Sequence, residues 1–500
     1  MDYEKKYKMA KKDLLTMSDK GKSEYCCTVV RIGEVLPIEG SDFLAKTVIN
    51  GDSIVVRKDE IKEGDLMFYA SNETQLNLDF LGANNLFELG SRELNTNHEE
   101  VEKLINEGKK DEAKKLVGFF NKRGRVKMIR LRGVPSFGFL FSLETLAVWK
   151  PEVAKLNMED YEGKDFDTVC DELFIKVYVP YVKPKPERTK SDKRNKILNR
   201  FDRIIHGEFS FHYDTDPLAK NMFLIKPDDV VTISVKIHGT SVIIANVKTR
   251  KPRKIAVTKR LWNWMVDKLA LSEERKFIDY DIVYDNVYSS RTVIKNKYIN
   301  KDVTDGFYGT DLWGEYSEKL YPFIPKGMTI YGEIFGYVTG EQKMIQKGYD
   351  YGCDPGQNKM MIYRITTDIG EGKKYEWNVL DVREFTFKLL QDNPELAEWI
   401  QPITVLYYGT LRDLYPHIST ENHWHETVLA AMQNDTETLG MELDEPLCNS
   451  KVAREGIVLR IDNDPVKEAF KLKTVKFRER EKALIDNGEV DMEMMDAYVQ

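Results

Sequence analysis

The chain has 500 residues, of which 42% are hydrophobic and 31% charged, with a formal net charge of −7 at pH 7. That length is too great for one ordinary core and predicts two or three domains. No stretch comes near the roughly 18 consecutive apolar residues of a membrane-spanning helix. The basic opening MDYEKKYKMAKKDLLTMSDKGK lacks an apolar signal core, so export is not expected. Cys26, Cys27, Cys170, Cys353 and Cys448 are odd in number and contain no C-x-x-C pair. They suit a reducing, cytoplasmic compartment and argue against a zinc ribbon.

Residues 1–178 read as an N-terminal domain. Within 24–70, short apolar runs are separated by the turn signals IEGSD, NGD and KEGD, the pattern of a small β barrel or sandwich. Between 97 and 119, Val101, Leu104, Ile105, Leu116 and Val117 recur at helical spacing, which predicts a helical insertion. β character returns over 125–143. There Arg123, Arg125 and Lys127 alternate with Gly124, Val126 and Met128, and Arg130 and Arg132 repeat the alternation. One strand face is therefore expected to carry cations, as an OB-fold presents itself to a nucleic-acid backbone. A solvated strand face is the alternative.

Residues 179–204 read as a basic linker. Its 183–203 stretch has nine Lys or Arg against three acids, which fits either phosphate contact or a solvated tether. From 205 to 480 the chain alternates: strand-like 229–247, helix-like 265–277, strand-like 328–338 and 359–366, helix-like 381–400, then strand-like 403–408, 455–461 and 469–474. Residues 481–500 form a short acidic tail. The expected class is multidomain, an OB-like β barrel with a helical insertion followed by an α+β domain with antiparallel sheets. ENHWHE (421–426) reads as a surface strand or turn, because His423 and His425 lack a third metal ligand nearby. The aromatic run DLWGEYSEKLYPF reads as core.

The stretch TISVKIHGTSVII (232–244) has the β-branched residues of a buried strand, interrupted by Lys236, His238 and Gly239. A lysine and a glycine both cost stability there. A nucleophilic lysine would account for the interruption. Five further segments lie in strand-like frames: Arg291 in SSRTV, Glu333 in YGEIFG, Tyr363 in MMIYRI, Glu455 in REGIVLRI, and Lys471 and Lys473 in FKLKT. Lys471 and Lys473, two apart, share a sheet face suited to a triphosphate. Gly239 allows close backbone approach, Glu333 can accept both hydroxyls of a ribose, and Tyr363 can stack on a purine. Glu455 can orient the waters of a divalent ion.

K-x-H-G-T-S, S-R, G-E-x-x-G, aromatic-R-I, E-G-I-V-L-R and K-L-K-T stand in the order of motifs I, Ia, III, IIIa, IV and V of the covalent nucleotidyltransferases. The chain resembles the ATP-dependent RNA ligases of that superfamily. VKIHGTS is closest to the phage ligase 2 and RNA-editing group, and the N-terminal segments resemble the OB domain of type 5 RNA ligases. Two positions depart from the type 5 pattern, with His238 and Arg364 where Asp is usual.

The resemblance implies ATP as substrate, Mg2+ or Mn2+ as metal, and a lysyl-AMP formed on Lys236. AMP would then pass to an RNA 5′-phosphate, to be displaced by a 3′-hydroxyl, as in RNA repair. Gly239, Arg291, Glu333, Tyr363, Glu455, Lys471 and Lys473 would bind ATP, and Glu455 would hold metal with His238 acting through water. A monomer without a membrane partner is expected. A DNA ligase and a capping enzyme are rivals disfavoured by the domain order, since each carries its OB domain after motif V. A non-catalytic nucleic-acid-binding protein is the rival of another class.

Overall fold

The computed structural model describes residues 13–488, except 20, 22, 181–201, 212–214, 270–276, 278, 299–307, 371, 422 and 464–467. Most of the basic 179–204 stretch, and residues 489–500 of the tail, lie outside the described residues. The chain is a multidomain protein of antiparallel sheets and helices, in two compact units: Met1–Tyr181 with Glu481–Gly488, and Val182–Arg480 with Glu489–Gln500.

The first unit is built from small sheets of short strands. Leu66–Ala70 lies between Phe139–Phe141 and Cys27–Arg31, with Asp165–Phe166 on the far edge. Leu36–Pro37, Leu44–Ile49 and Asp52–Arg57 form a second sheet, and Ile175–Val177, Thr74–Leu76 and Arg125–Val126 a third. Phenylalanines fill the core: Phe80 meets Phe174 edge-on at 5.0 Å and Phe68 stacks on Phe141 at 5.3 Å. Such pairs add about 0.5–1.5 kcal/mol beyond their buried area. Two helices, His98–Asn106 and Lys110–Lys115, occupy the stretch of helical periodicity. Cys26 and Cys27 are buried packing residues.

The expected cationic strand face is not present as one surface. The strand there is only Arg125–Val126, and Arg125 is buried. Its guanidinium bonds Glu73 at 2.8 Å and Asp486 at 2.8 Å. The alternation therefore turns one arginine inward to a carboxylate pair while Arg123, Arg130 and Arg132 stay exposed and Lys127 half-exposed. Arg130 and Arg132 lie on a hairpin of Ile129–Leu131 and Val134–Ser136.

The second unit has two large sheets. One has the order Asp216–Pro217, Ala469–Lys473, Gly456–Ile461, Val230–Lys236, Val405–Thr410. The other runs Tyr280–Ser289, Thr240–Pro252, Met328–Gly336, Asn358–Gly370, Lys373–Glu376, with Ile400–Pro402 parallel to Asn358–Gly370. The interruption at 237–239 is thus the crossing from one sheet to the other. Val235, Ile237, Phe335, Tyr349 and Met361 fill an apolar layer at that crossing. Leu312–Leu320 covers the six-stranded sheet, burying Trp313 and Tyr316 as the aromatic run predicted, and the Trp313 indole N–H donates to the Ser241 carbonyl at 3.0 Å. ENHWHE is not a strand or turn: His423 precedes the helix Trp424–Asn434, which packs on the five-stranded sheet. His425 contacts the Ile225 carbonyl at 3.1 Å.

Candidate active site

Lys236 ends the Val230–Lys236 strand, opposite Gly456 on the neighbouring strand, and Gly456 is in turn opposite Lys473. Residues in one row of an antiparallel sheet point to the same side. With no side chain between them, the two lysines converge on the carboxylate of Glu455, the residue just before Gly456. Glu455 Oε1 is 2.8 Å from Lys236 Nζ and 3.8 Å from Lys473 Nζ. Gly456 is also required by its backbone, at φ +149°, and a Cβ there would overlap the Leu472 carbonyl. Lys471 lies two residues back on the same face, opposite Val458.

Thr474 fixes the backbone around Glu455. Its N–H donates to the Glu455 carbonyl at 3.0 Å and its hydroxyl to the Arg454 carbonyl at 2.8 Å. The same hydroxyl accepts the Phe477 N–H at 3.1 Å at the start of the Val475–Asp486 helix, as a threonine N-cap does.

His238 is buried between two aromatic rings, Tyr349 at 4.9 Å and Phe477 at 5.0 Å, both edge-on. Its Nδ1 is 3.9 Å from Glu455 Oε2. Its backbone N–H donates to the Tyr351 hydroxyl at 2.9 Å. The next carbonyl, that of Gly239, accepts from Gln346 Nε2 at 2.8 Å. Tyr349, Tyr351, Gln346 and Phe477 were not singled out from sequence. The tyrosines flanking a charged residue in GYDYG were the available signal, as was the threonine opening a Lys/Arg/Glu-rich segment after Lys473.

Gly239 passes directly over the second sheet. A Cβ there would overlap the Ile334 carbonyl and come within 3.0 Å of Glu333 Cγ. Glu333 pairs in register with Ser241 on one side and Met361 on the other, between the buried rings of Tyr331 and Phe335. A bulge at Tyr331/Gly332 leaves Tyr363 as an extra residue between two ladder pairs. Burial pushes the Tyr363 phenol up, the Glu333 charge adds to this, and a Ser241 hydrogen bond and the charges of Arg364 and Arg291 oppose it. Arg291, Glu333, Tyr363 and Ser241 therefore form one electrostatic neighbourhood. Arg364 makes two 2.7 Å bonds to Glu376 and lies 4.3 Å from the Tyr331 ring centroid, and Arg460 also bonds Glu376.

Among the described residues no group of three His, Cys, Asp or Glu side chains could hold a metal ion. The buried Glu455 carboxylate with the imidazole nitrogen beside it is a donor set for a hard, largely hydrated ion that keeps water and phosphate ligands. All five cysteines are free thiols, and among the described residues no helix is long and apolar enough to cross a membrane.

Two sheets meeting where a lysine-bearing strand crosses between them define the fold class, and a solved structure at a TM-score of 0.50 shares it. A variant of Naegleria gruberi RNA ligase with AMP and Mn is 17% identical, with 92% of this chain and 99% of that chain covered and a TM-score of 0.50. A second variant of that ligase, with ATP and Mn, is 17% identical over 91% and 99%, at a TM-score of 0.49. The same ligase with PPi is 15% identical over 92% and 99%, at 0.47. At these identities the likeness is one of fold. No family model matches the sequence, and no curated protein matches it.

Proposed function

We propose that the chain is an ATP-dependent RNA ligase acting in RNA repair. Lys236 Nζ, once its proton has passed to solvent, attacks the α-phosphorus of ATP: a P–N bond forms, the bond from that phosphorus to the β-phosphate oxygen breaks and pyrophosphate leaves; AMP then passes to an RNA 5′-phosphate, and a 3′-hydroxyl displaces it. The observation that carries this reading is the row Lys236–Gly456–Lys473 closing on the buried Glu455. A buried structural lysine would also be paired with a carboxylate; what favours a nucleotide site is the second ammonium, Lys473, converging on the same buried Glu455. Paired with Glu455, the lysine rests as an ammonium ion and does not attack. A divalent ion, Mg2+ or Mn2+, arriving with ATP would take up the Glu455 charge and help neutralise the phosphates.

Lys473 and Lys471 then bind the triphosphate as point charges, Glu333 accepts from the ribose, and Tyr363 with Arg291 borders the nucleotide. His238, caged by Tyr349 and Phe477 and 3.9 Å from Glu455, would help hold a hydrated divalent ion beside that carboxylate. Arg364 serves the fold through Glu376. The ATP, AMP and Mn of the structurally similar Naegleria gruberi ligase support the substrate and metal assignments. The first unit is read as an OB-like RNA-binding domain, with Arg123, Lys127, Arg130 and Arg132 as phosphate contacts and Arg125 as a structural ion pair.

Incubation with α-labelled ATP and Mg2+ or Mn2+ tests the class: the protein band takes up label, and Lys236→Ala removes it. Lys236→Ala still seals RNA that is already adenylylated. Label retained by Lys236→Ala overturns the nucleophile assignment.

A further inference from the structure

Arg364, Glu376 and Arg460 form a buried triad that ties together the two sheets of the candidate site. Arg364 and Glu376 lie on neighbouring strands of the six-stranded sheet, and Arg460 lies on Gly456–Ile461 of the five-stranded one. The Glu376 carboxylate accepts a forked pair of bonds from Arg364, one to each oxygen at 2.7 Å, and a third bond from Arg460. The side chains of Arg364, Glu376 and Arg460 are 5%, 10% and 7% exposed. Without the carboxylate, two buried guanidinium groups would face each other as like charges.

Strand register puts the triad on the same surfaces as the site. In the five-stranded sheet the rows Lys236–Gly456–Lys473, Ser234–Val458–Lys471 and Thr232–Arg460–Ala469 follow one another on one face. In the six-stranded sheet the row Ser241–Glu333–Met361 is followed by Ile243–Tyr331–Arg364. Because Arg460 and Arg364 meet on one carboxylate, these two faces are turned towards each other. Arg460 stands four residues, about 13 Å, along its strand from Gly456. Arg364 directly follows Tyr363. Stability alone does not account for such an arrangement. Charges taken out of water lose about as much hydration as they gain in attraction, and apolar residues of similar volume are often as stable or more so. What the ionic version adds is a fixed, forked geometry.

We propose that Glu376 is a positioning residue for the nucleotide. Through Arg364 and Arg460 it fixes the separation of the two sheets, so that Lys236 on one and Glu333 on the other meet the same ATP molecule. The proposal rests on the reading of the chain as an ATP-dependent ligase, and its test separates the two.

Single-turnover labelling of the full-length protein by α-labelled ATP is timed over a range of ATP concentrations, and thermal unfolding is followed alongside. Glu376→Gln lowers the unfolding midpoint. Well below that midpoint its limiting labelling rate is about tenfold to a hundredfold slower, the scale of a slightly misplaced nucleophile. Glu376→Asp keeps the charge and recovers part of the rate. Arg364→Met/Glu376→Leu/Arg460→Met regains a parent-like midpoint, as apolar replacement of a buried ionic triad does, but remains slow. Folding and positioning are thereby told apart. A parent-like rate in the apolar variant, or in Glu376→Gln at a temperature where it is folded, overturns the proposal and leaves the ligase reading standing. Absence of label in the parent overturns both.

Discussion

The ammonium of Lys236 and the ammonium of Lys473 share a single oxygen of Glu455, at 2.8 and 3.8 Å, and that carboxylate has no exposed side-chain surface. Glu455→Gln leaves two cations facing a neutral amide and removes the charge that a metal would meet. Self-adenylylation falls about a hundredfold or more, the scale set by losing one preorganised charge group. Quantified label per mole of protein checks this, and a loss below threefold contradicts it.

Gly239→Ala acts by crowding. The added methyl has the rigid Ile334 carbonyl on one side and the Glu333 side chain on the other. Two sheets must separate slightly, costing about 1–3 kcal/mol in a urea titration. Labelling falls as well, because the group that moves is Glu333.

Tyr351→Phe removes the hydroxyl and keeps the ring. The His238 N–H that donates to the hydroxyl at 2.9 Å becomes a buried donor without that partner. The expected loss is about 1–3 kcal/mol in stability. A midpoint equal to the parent's would mean that another group takes over the bond.

Glu376 gives a pH signature. Burial alone would raise its carboxyl, but hydrogen bonds from Arg364 and the charges of Arg460 and Arg364 outweigh burial and hold it below the ordinary value of 4.5. A depressed carboxylate stabilises the fold fully above its unfolded value, and this contribution disappears as pH falls through the folded one. The stability gap between parent and Glu376→Gln is therefore constant from neutrality down to about pH 5 and narrows below the ordinary value. A gap that widens on acidification contradicts the sign.

Much of the second unit was legible because its strands are near-continuous apolar and β-branched runs, buried on both faces. The run read over 328–338 is Met328–Gly336, and 455–461 is Gly456–Ile461. The lysine that breaks a strand was visible as a conflict between propensity and sequence. That the break is a crossing between sheets was not visible, since it depends on which distant strands pair. The helix read over 265–277 starts earlier, at Val257, with 270–276 outside the described residues, and most of the apolar side chains of Val257–Lys268 are exposed. Arg125 looked like its neighbours because alternation shows faces, and its inward carboxylates, Glu73 and Asp486, lie far away in sequence.

That contrast separates two arginine effects. Arg125→Ala breaks a buried pair and lowers stability by about 3–5 kcal/mol. Arg130→Ala and Arg132→Ala leave the midpoint within about 0.5 kcal/mol, as exposed substitutions do. If the hairpin contacts RNA, each lowers the salt slope of binding by about one at most. Equal destabilisation by all three would contradict the burial of Arg125.

The strand carrying Lys236 has both its sheet neighbours, Val405–Thr410 and Gly456–Ile461, later in the chain. Ser234 and Val458, opposite one another, are 224 residues apart. At about 5–20 residues per second, a ribosome leaves at least one edge of this apolar strand bare for roughly ten to forty-five seconds. During that time it is a template for pairing with another nascent chain. Expression of this protein is therefore expected to be sensitive to translation speed and holdase supply, through a strand that is safe once folded.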